Sequence, residues 1–174
     1  KGIERRILNF PKIIQPLIKY EFRVTKKYEN YIFNKFKKHT IITQNDQQYI
    51  SHINNTHIHI IPNGVDTTYF KPNYKVEKKY DIVFIGNMNY PPNVEAAIYL
   101  CKHIQPLIEK KYKNCNVLIG GTNPSKKVLN LRNKNIFISG WVEDIRSLYA
   151  SGRIFVAPMF IGTGLQNKLL EAMA

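Results

Sequence analysis

Acidic residues are scarce in this chain. Of 174 residues only 12 are Asp or Glu, against 26 Lys or Arg, and the formal net charge is +14. The first 40 residues concentrate the imbalance, with eleven Lys or Arg against three Glu. Such a surface has two sharp readings, nucleic acid or an anionic membrane, and one plain reading, lysines decorating solvated faces. No platform of interleaved aromatic and basic residues and no groove-reading motif is present, which sets nucleic acid aside. No apolar run approaches the roughly 18 residues of a membrane span. Nothing at the start, Lys1 onward, resembles a signal peptide. Cysteine is limited to Cys101 and Cys115, whose spacing suits neither a metal nor a disulfide framework; they fit reduced, unpaired thiols of a cytoplasmic protein. His57 and His59 are expected on one face of a strand, and without a third ligand they make a poor metal site. Internal repeats and low-complexity segments are absent.

What is present suffices for a core. The hydrophobic fraction is 44%, which argues against disorder, and the length suits one domain, or one plus part of another. Apolar positions Ile18, Phe22, Tyr28, Ile32, Phe33 and Phe36 recur at near-helical spacing and predict one long helix over 16–38. The Tyr28–Phe36 stripe reads as a packing face. Short strands are expected over 39–43 and 58–61, with a short helix over 45–53 between them, and Pro62-Asn63-Gly64 is a strong turn signal.

A regular alternation then begins. Strands are predicted over 80–85, 116–119, 136–139 and 154–157. Helices are predicted from Asn93 to about Tyr112, over 125–131 and over 144–150. Asn93 is read as the cap of the first of these, with Glu95 in its first turn and Pro106 as a kink or break. Strand–helix alternation with short glycine-bearing turns means a parallel sheet covered on both faces. Ligands bind beyond the carboxyl ends of such strands, where Gly86, Gly120, Gly140 and the 162–164 loop are expected. His103 reads as structural or exposed, Asp144 as a helix cap, and Trp141 as packing rather than stacking on a ligand.

The last stretch carries the strongest chemistry. Wound at 100° per residue, Gly164, Lys168 and Glu171 share one narrow face, while Leu165, Leu169 and Ala172 turn toward a sheet. Backbone N–H groups, an ammonium and a carboxylate in line suit a nucleoside diphosphate, with phosphates on the first two and ribose hydroxyls on the third. Thr163 either donates to a phosphate or caps the helix, and Asn167 is either a ligand contact or a solvated residue. The helix meets neither a C-cap nor a following strand, so the chain is read as a fragment.

Several segments together resemble the C-terminal half of family 4, or group 1, glycosyltransferases of the GT-B fold, of the type that makes bacterial exopolysaccharide and surface polysaccharide. Ile60-Ile-Pro-Asn-Gly-Val-Asp-Thr-Thr-Tyr-Phe-Lys-Pro72 is similar to the interdomain segment of that family. Asp81-Ile-Val-Phe-Ile-Gly-Asn-Met-Asn-Tyr-Pro-Pro-Asn93 resembles its first donor-domain strand and loop. Ser139-Gly-Trp-Val-Glu-Asp144 resembles its base-binding turn, and the 165–174 stretch its glutamate-bearing donor helix. The resemblance implies an α/β architecture, a Rossmann-like parallel sheet with helices on both faces, as an incomplete GT-B fold. It implies residues 1–62 as the end of an acceptor-side lobe, 63–79 as a linker and 80–174 as a truncated donor lobe.

It further implies a retaining, hexosyltransferase-type enzyme that moves a sugar from a UDP- or GDP-type nucleotide sugar to a carbohydrate or lipid-linked acceptor. No bound cofactor or metal is implied, and this fragment alone is expected to be inactive. The implied location is cytoplasmic, with peripheral contact to an anionic inner membrane face as a further partner. Carried over by position, Glu171 holds ribose, Lys168 lies near the diphosphate, Gly86 allows close approach, and Val142 offers backbone bonds to the base. Asn87, Thr163, Gly164, Leu165 and Asn167 complete the expected donor site; catalytic residues would lie in the missing lobe. The chain departs from the pattern where Thr163 replaces a glutamate and Asn87 an arginine, and where a lysine is missing around Asn93. Two alternatives stay open: a non-hydrolysing nucleotide-sugar epimerase, and a degenerate, non-catalytic nucleotide-binding lobe.

Overall fold

The computed structural model describes residues 11–50, 52–160 and 164–174. They form two units, one ending at Asn63 and including Leu165, the other beginning at Gly64 and including Gln166–Ala174.

In the first unit, α1 (Gln15–Phe33) opens with Pro16, whose missing N–H costs nothing in a first turn. The helix ends five residues before the predicted boundary. It stops because Asn34 turns back, its backbone N–H and its side-chain Nδ2 both donating to the Asn30 carbonyl. No residue of α1 is buried. Tyr28 and Phe36 are each 62% exposed, so the predicted packing stripe is covered only in part. Phe33 is its packed member, with its ring stacked on His39 at 3.6 Å and on His52 at 4.0 Å. The predicted strands shrink to β1 (Thr40–Ile41) and β2 (His59–Ile60), paired in parallel. α2 (Gln44–Gln47) is capped by Thr43, whose hydroxyl oxygen accepts from the Asp46 N–H. His57 closes a 3-10 turn (Asn55–His57) and His59 lies in β2, so the two histidines share no strand face.

The second unit is built on β3 (Tyr80–Ile85), β4 (Val117–Gly120), β5 (Ile136–Ile138) and β6 (Gly152–Phe155). Their order is β5-β4-β3-β6 and every pair is parallel. β6 starts two residues before the predicted strand, because Tyr80 pairs with Gly152 and Ile82 with Ile154. Residues 82–85 of β3 are buried and apolar on both sides, as the middle of a central parallel strand must be. Ile82 and Phe84 join one cluster with Ala96, Ala97, Leu100 and Val117, while Val83 and Ile85 face Leu148 and Tyr149. The sheet is therefore covered on both faces.

Between β3 and β4, Pro91 and Pro92 occupy the first turn of α3 (Pro91–Tyr99). This corrects two expectations: Asn93 sits inside the helix instead of capping it, and Glu95 lies beyond the first turn. Pro106 is absorbed by a π-turn (Leu100–Ile104) that precedes α4 (Gln105–Glu109). A widened turn relieves the clash that a proline ring makes with the carbonyl four residues earlier. Two short helices follow, α5 (Lys126–Leu129) and α6 (Ile145–Ala150), the latter capped by Asp144 accepting from the Arg146 N–H, as expected. The last helix is α7 (Asn167–Met173). Both cysteines are free and buried, and burial pushes the Cys101 thiol up to about 12. No described helix is long and apolar enough to cross a membrane.

Candidate functional site

The carboxyl edge of the sheet is shaped by glycine. Gly86 follows β3, and its N–H donates to the Gly120 carbonyl at the end of β4 at 3.0 Å. Gly121 next turns left-handed at φ +117°, and a Cβ there would overlap the Gly86 carbonyl. At Gly86 a Cβ would meet Asn93 Nδ2 at 2.7 Å and Lys168 Nζ at 3.3 Å. The two chain turns therefore approach as bare backbone, which only glycine permits.

Asn93 and Lys168 stand over this floor. Asn93 is 5% exposed. Its Nδ2 donates to the Asn87 carbonyl at 2.9 Å, and its Oδ1 accepts from Lys168 Nζ at 2.6 Å. The ammonium also lies 5.1 Å from the centre of the Phe84 ring, within cation–π range. Burial lowers the Lys168 pKa, and the Glu171 charge pulls it the other way. The start of α3 offers few amide donors beside it. Pro91 and Pro92 have no N–H, and the Asn93 N–H is held by the Tyr90 carbonyl at 2.9 Å. Beside the start of α3, positive potential comes from Lys168 rather than from that helix's own amides.

Glu171 points elsewhere. Its Oε2 accepts from the Tyr149 hydroxyl at 2.7 Å. Burial, then the bond to Glu171 and its charge, push the Tyr149 phenol well above its ordinary range, which keeps it a donor. Glu171 borders a cavity of about 240 Å³ with Phe70, Tyr74, Arg146 and Tyr149; Lys168 is not among its lining residues. The arrangement thus offers a partly buried ammonium over bare backbone, and a carboxylate fixed by a phenol one helical turn further on.

The other expected residues scatter around this pair. Asn87 is exposed and Val142 half-buried. Trp141 is 71% exposed, against the packing expected of it; it follows the positive-φ Gly140 in a segment without strand or helix, where no packed element covers it. His103 is exposed, its ring 5.0 Å from Tyr99. Asn167 opens α7 and is exposed. Gly164 has φ +73°, which no right-handed helix tolerates, so it precedes α7 and does not share a helical face with Lys168 and Glu171. Leu165 is half-buried ahead of the helix, and Leu169 is 38% exposed instead of packing on the sheet. Thr163 lies outside the described residues. Among the described residues no group of three or more potential metal ligands forms.

Three contributors escaped the sequence reading: Asn93 as the lysine's partner, Tyr149 as the glutamate's, and Gly121 as half of the close approach. The first had a signal, since paired prolines claim the first two helical positions and push the next residue inside. The second had none, because residues 22 apart meet only through the sheet.

Comparisons with known proteins bear on this lobe. Residues 79–174 match the family model described as glycosyl transferases group 1. A Klebsiella pneumoniae protein, "Uncharacterized 44.6 kDa protein in cps region", is 26% identical over 102 residues, covering 53% of this chain and 26% of that protein. The chain thus spans about a quarter of the length of this relative. Among solved structures, TarM superposes with a TM-score of 0.63 at 20% identity, over 84% of this chain and 30% of TarM. A chain of the GtfA/B complex gives 0.58 at 16% identity, over 83% and 30%. At these identities the two structures establish the fold alone.

Proposed function

The chain belongs to the group 1 glycosyl transferases, and on that premise we propose that its sheet lobe binds the nucleotide-diphosphate sugar of a retaining transfer. The acceptor is a carbohydrate or a lipid-linked sugar, and the product a bacterial surface polysaccharide. The observation that carries the reading is the partly buried Lys168 ammonium, held over the Gly86–Gly121 floor at the carboxyl edge of a parallel sheet. Ligands of open α/β sheets bind at that edge. An ammonium set among carbon and bare backbone attracts a diphosphate more strongly than one in water.

The chemistry follows from charge. When the sugar leaves, negative charge grows on the departing diphosphate. A fixed cation that needs no reorganisation stabilises that charge. Glu171, oriented by Tyr149, keeps a second carboxylate oxygen for ribose hydroxyls. The relative from a cps region supports a polysaccharide context. The proposed reaction is cytoplasmic, with basic, exposed α1 as the proposed surface for an anionic inner membrane face.

Calorimetry with UDP and GDP on the intact protein tests the reading. One nucleotide should bind, and Lys168→Met or Glu171→Ala should weaken it about 10- to 100-fold, the equivalent of a charge-assisted bond of ~1.5–3 kcal/mol. Failure of both nucleotides at millimolar concentration, or indifference to either substitution, would sink it.

A further inference from the structure

The Lys168 side chain has four rotatable carbons and would sample many positions if only its own helix held it. It is instead fixed from another element. We propose that Asn93 is a positioning residue for the donor diphosphate: it holds the Lys168 ammonium at the Gly86 turn and, being neutral, leaves that charge uncancelled. The inference rests on the donor-site reading and adds to it the residue that makes the lysine effective.

The geometry leaves the Asn93 amide one sensible orientation. Its NH2 group donates to the Asn87 carbonyl, so its oxygen must face Lys168, where the distance is 2.6 Å. The reverse orientation would set donor against donor at Lys168 and oxygen against oxygen at Asn87. Asn93 is itself locked, 5% exposed on α3, immediately after the paired prolines that fix the start of that helix. Gly86 completes the device, because any side chain there would strike the Asn93 amide and crowd the ammonium. An ammonium has three N–H donors. Asn93 takes one and leaves the others for anionic oxygens. An aspartate at 93 would keep a carboxylate oxygen on the lysine and neutralise it, while losing the bond to the Asn87 carbonyl. Position and charge are therefore separable by substitution.

The test compares Asn93→Ala, Asn93→Asp, Lys168→Met and the Asn93→Ala/Lys168→Met double variant in the intact protein, using UDP, GDP and uridine in calorimetry. A ligand-free readout is the acetylation rate of Lys168 by acetic anhydride, followed by mass spectrometry. Asn93→Ala should raise that rate severalfold relative to the other lysines. It should weaken the preferred nucleotide about tenfold, and the double variant should bind no more weakly than Lys168→Met alone. Asn93→Asp should weaken UDP or GDP while leaving uridine unchanged. If Asn93→Ala does not fold, Asn93→Ser, whose hydroxyl is too short to reach Lys168, should give the same changes in acetylation and affinity, and unchanged values there would overturn the positioning role.

Two failures are distinguishable. If Lys168→Met weakens the nucleotide but Asn93→Ala changes neither binding nor acetylation, or Asn93→Asp binds as wild type, the positioning role falls and the donor site stands. If Lys168→Met leaves binding unchanged, the donor-site reading falls and takes this inference with it, even where acetylation confirms the contact.

Discussion

The two units solve their folding problem differently. The first carries the longest helix described, 19 residues, yet none of them is buried, and Ile58 is the unit's one described hydrophobic residue in the buried class. The second uses strands of three to six residues and helices as short as four. It nevertheless buries Phe84, Leu100, Val117, Ile119 and Val128 completely. Strong local periodicity therefore does not predict where burial occurs. Helical pattern gives an element, but stability comes from opposed faces closing on a sheet. The functional groups follow the same division, since Lys168 and Glu171 acquire their partners Asn93 and Tyr149 within the sheet unit.

The sharpest attack on that contrast is at the glycine approach. Gly121→Ala forces a side chain into left-handed backbone, costing about 1–3 kcal/mol, and drives its Cβ into the Gly86 carbonyl, adding an overpacking cost of about 1–3 kcal/mol. Gly140→Ala shares the positive φ but meets nothing within 4 Å, so about 1–2 kcal/mol is expected. Urea denaturation followed by far-UV circular dichroism measures both. Equal losses would mean that the close approach contributes nothing.

The next test sets buried against exposed leucine. Leu100, fully buried in the π-turn, should cost about 2–5 kcal/mol when cut to alanine. Leu17 is 67% exposed on α1, and its alanine variant should stay within about 0.5 kcal/mol of wild type. A large loss at Leu17 would show α1 to be as well packed as the sheet and would erase the comparison.

The same division explains what can be read in advance. The parallel α/β architecture is legible because residues 82–85 of β3 are a continuous apolar run and glycines punctuate the strand ends, both properties of local sequence. The Asp144 cap is legible for the same reason. Gly164 is misplaced by pattern alone because glycine fits both a helix and a left-handed turn, and only the turn's closure decides. Trp141 is misjudged because bulk does not say whether a neighbour exists to cover it. Asn93 reads as a cap because its chemistry suits one; its burial and its bond to Lys168 depend on α7, 75 residues later.

A smaller effect is expected at Tyr149. Tyr149→Phe keeps the ring against Phe70 and Phe155 and removes only the hydroxyl that orients Glu171. Stability should change by about 1 kcal/mol, the net value of a typical hydrogen bond. Affinity for the nucleoside part of the donor should fall with it, measured by calorimetry with uridine. Unchanged uridine affinity would free Glu171 from the orienting role given to Tyr149.

The finest distinction lies in how Lys168 couples stability to pH. Its folded pKa is depressed below the ordinary 10.5, first by burial and against the pull of Glu171. Above 10.5 the amine is neutral in both states and the fold bears no penalty. As pH falls below 10.5 the unfolded chain takes the proton first, so the folded state loses ground until its own amine protonates. Below that point the deficit is constant. Wild type should therefore gain stability relative to Lys168→Met as pH rises toward 10.5, and the difference should be flat near neutrality. Subtracting the variant's denaturation curve at each pH removes the contribution of the other lysines. A flat difference across the whole range would mean that the ammonium is as well solvated as the lysines on α1. The sheet unit would then hold no desolvated cation to receive a diphosphate.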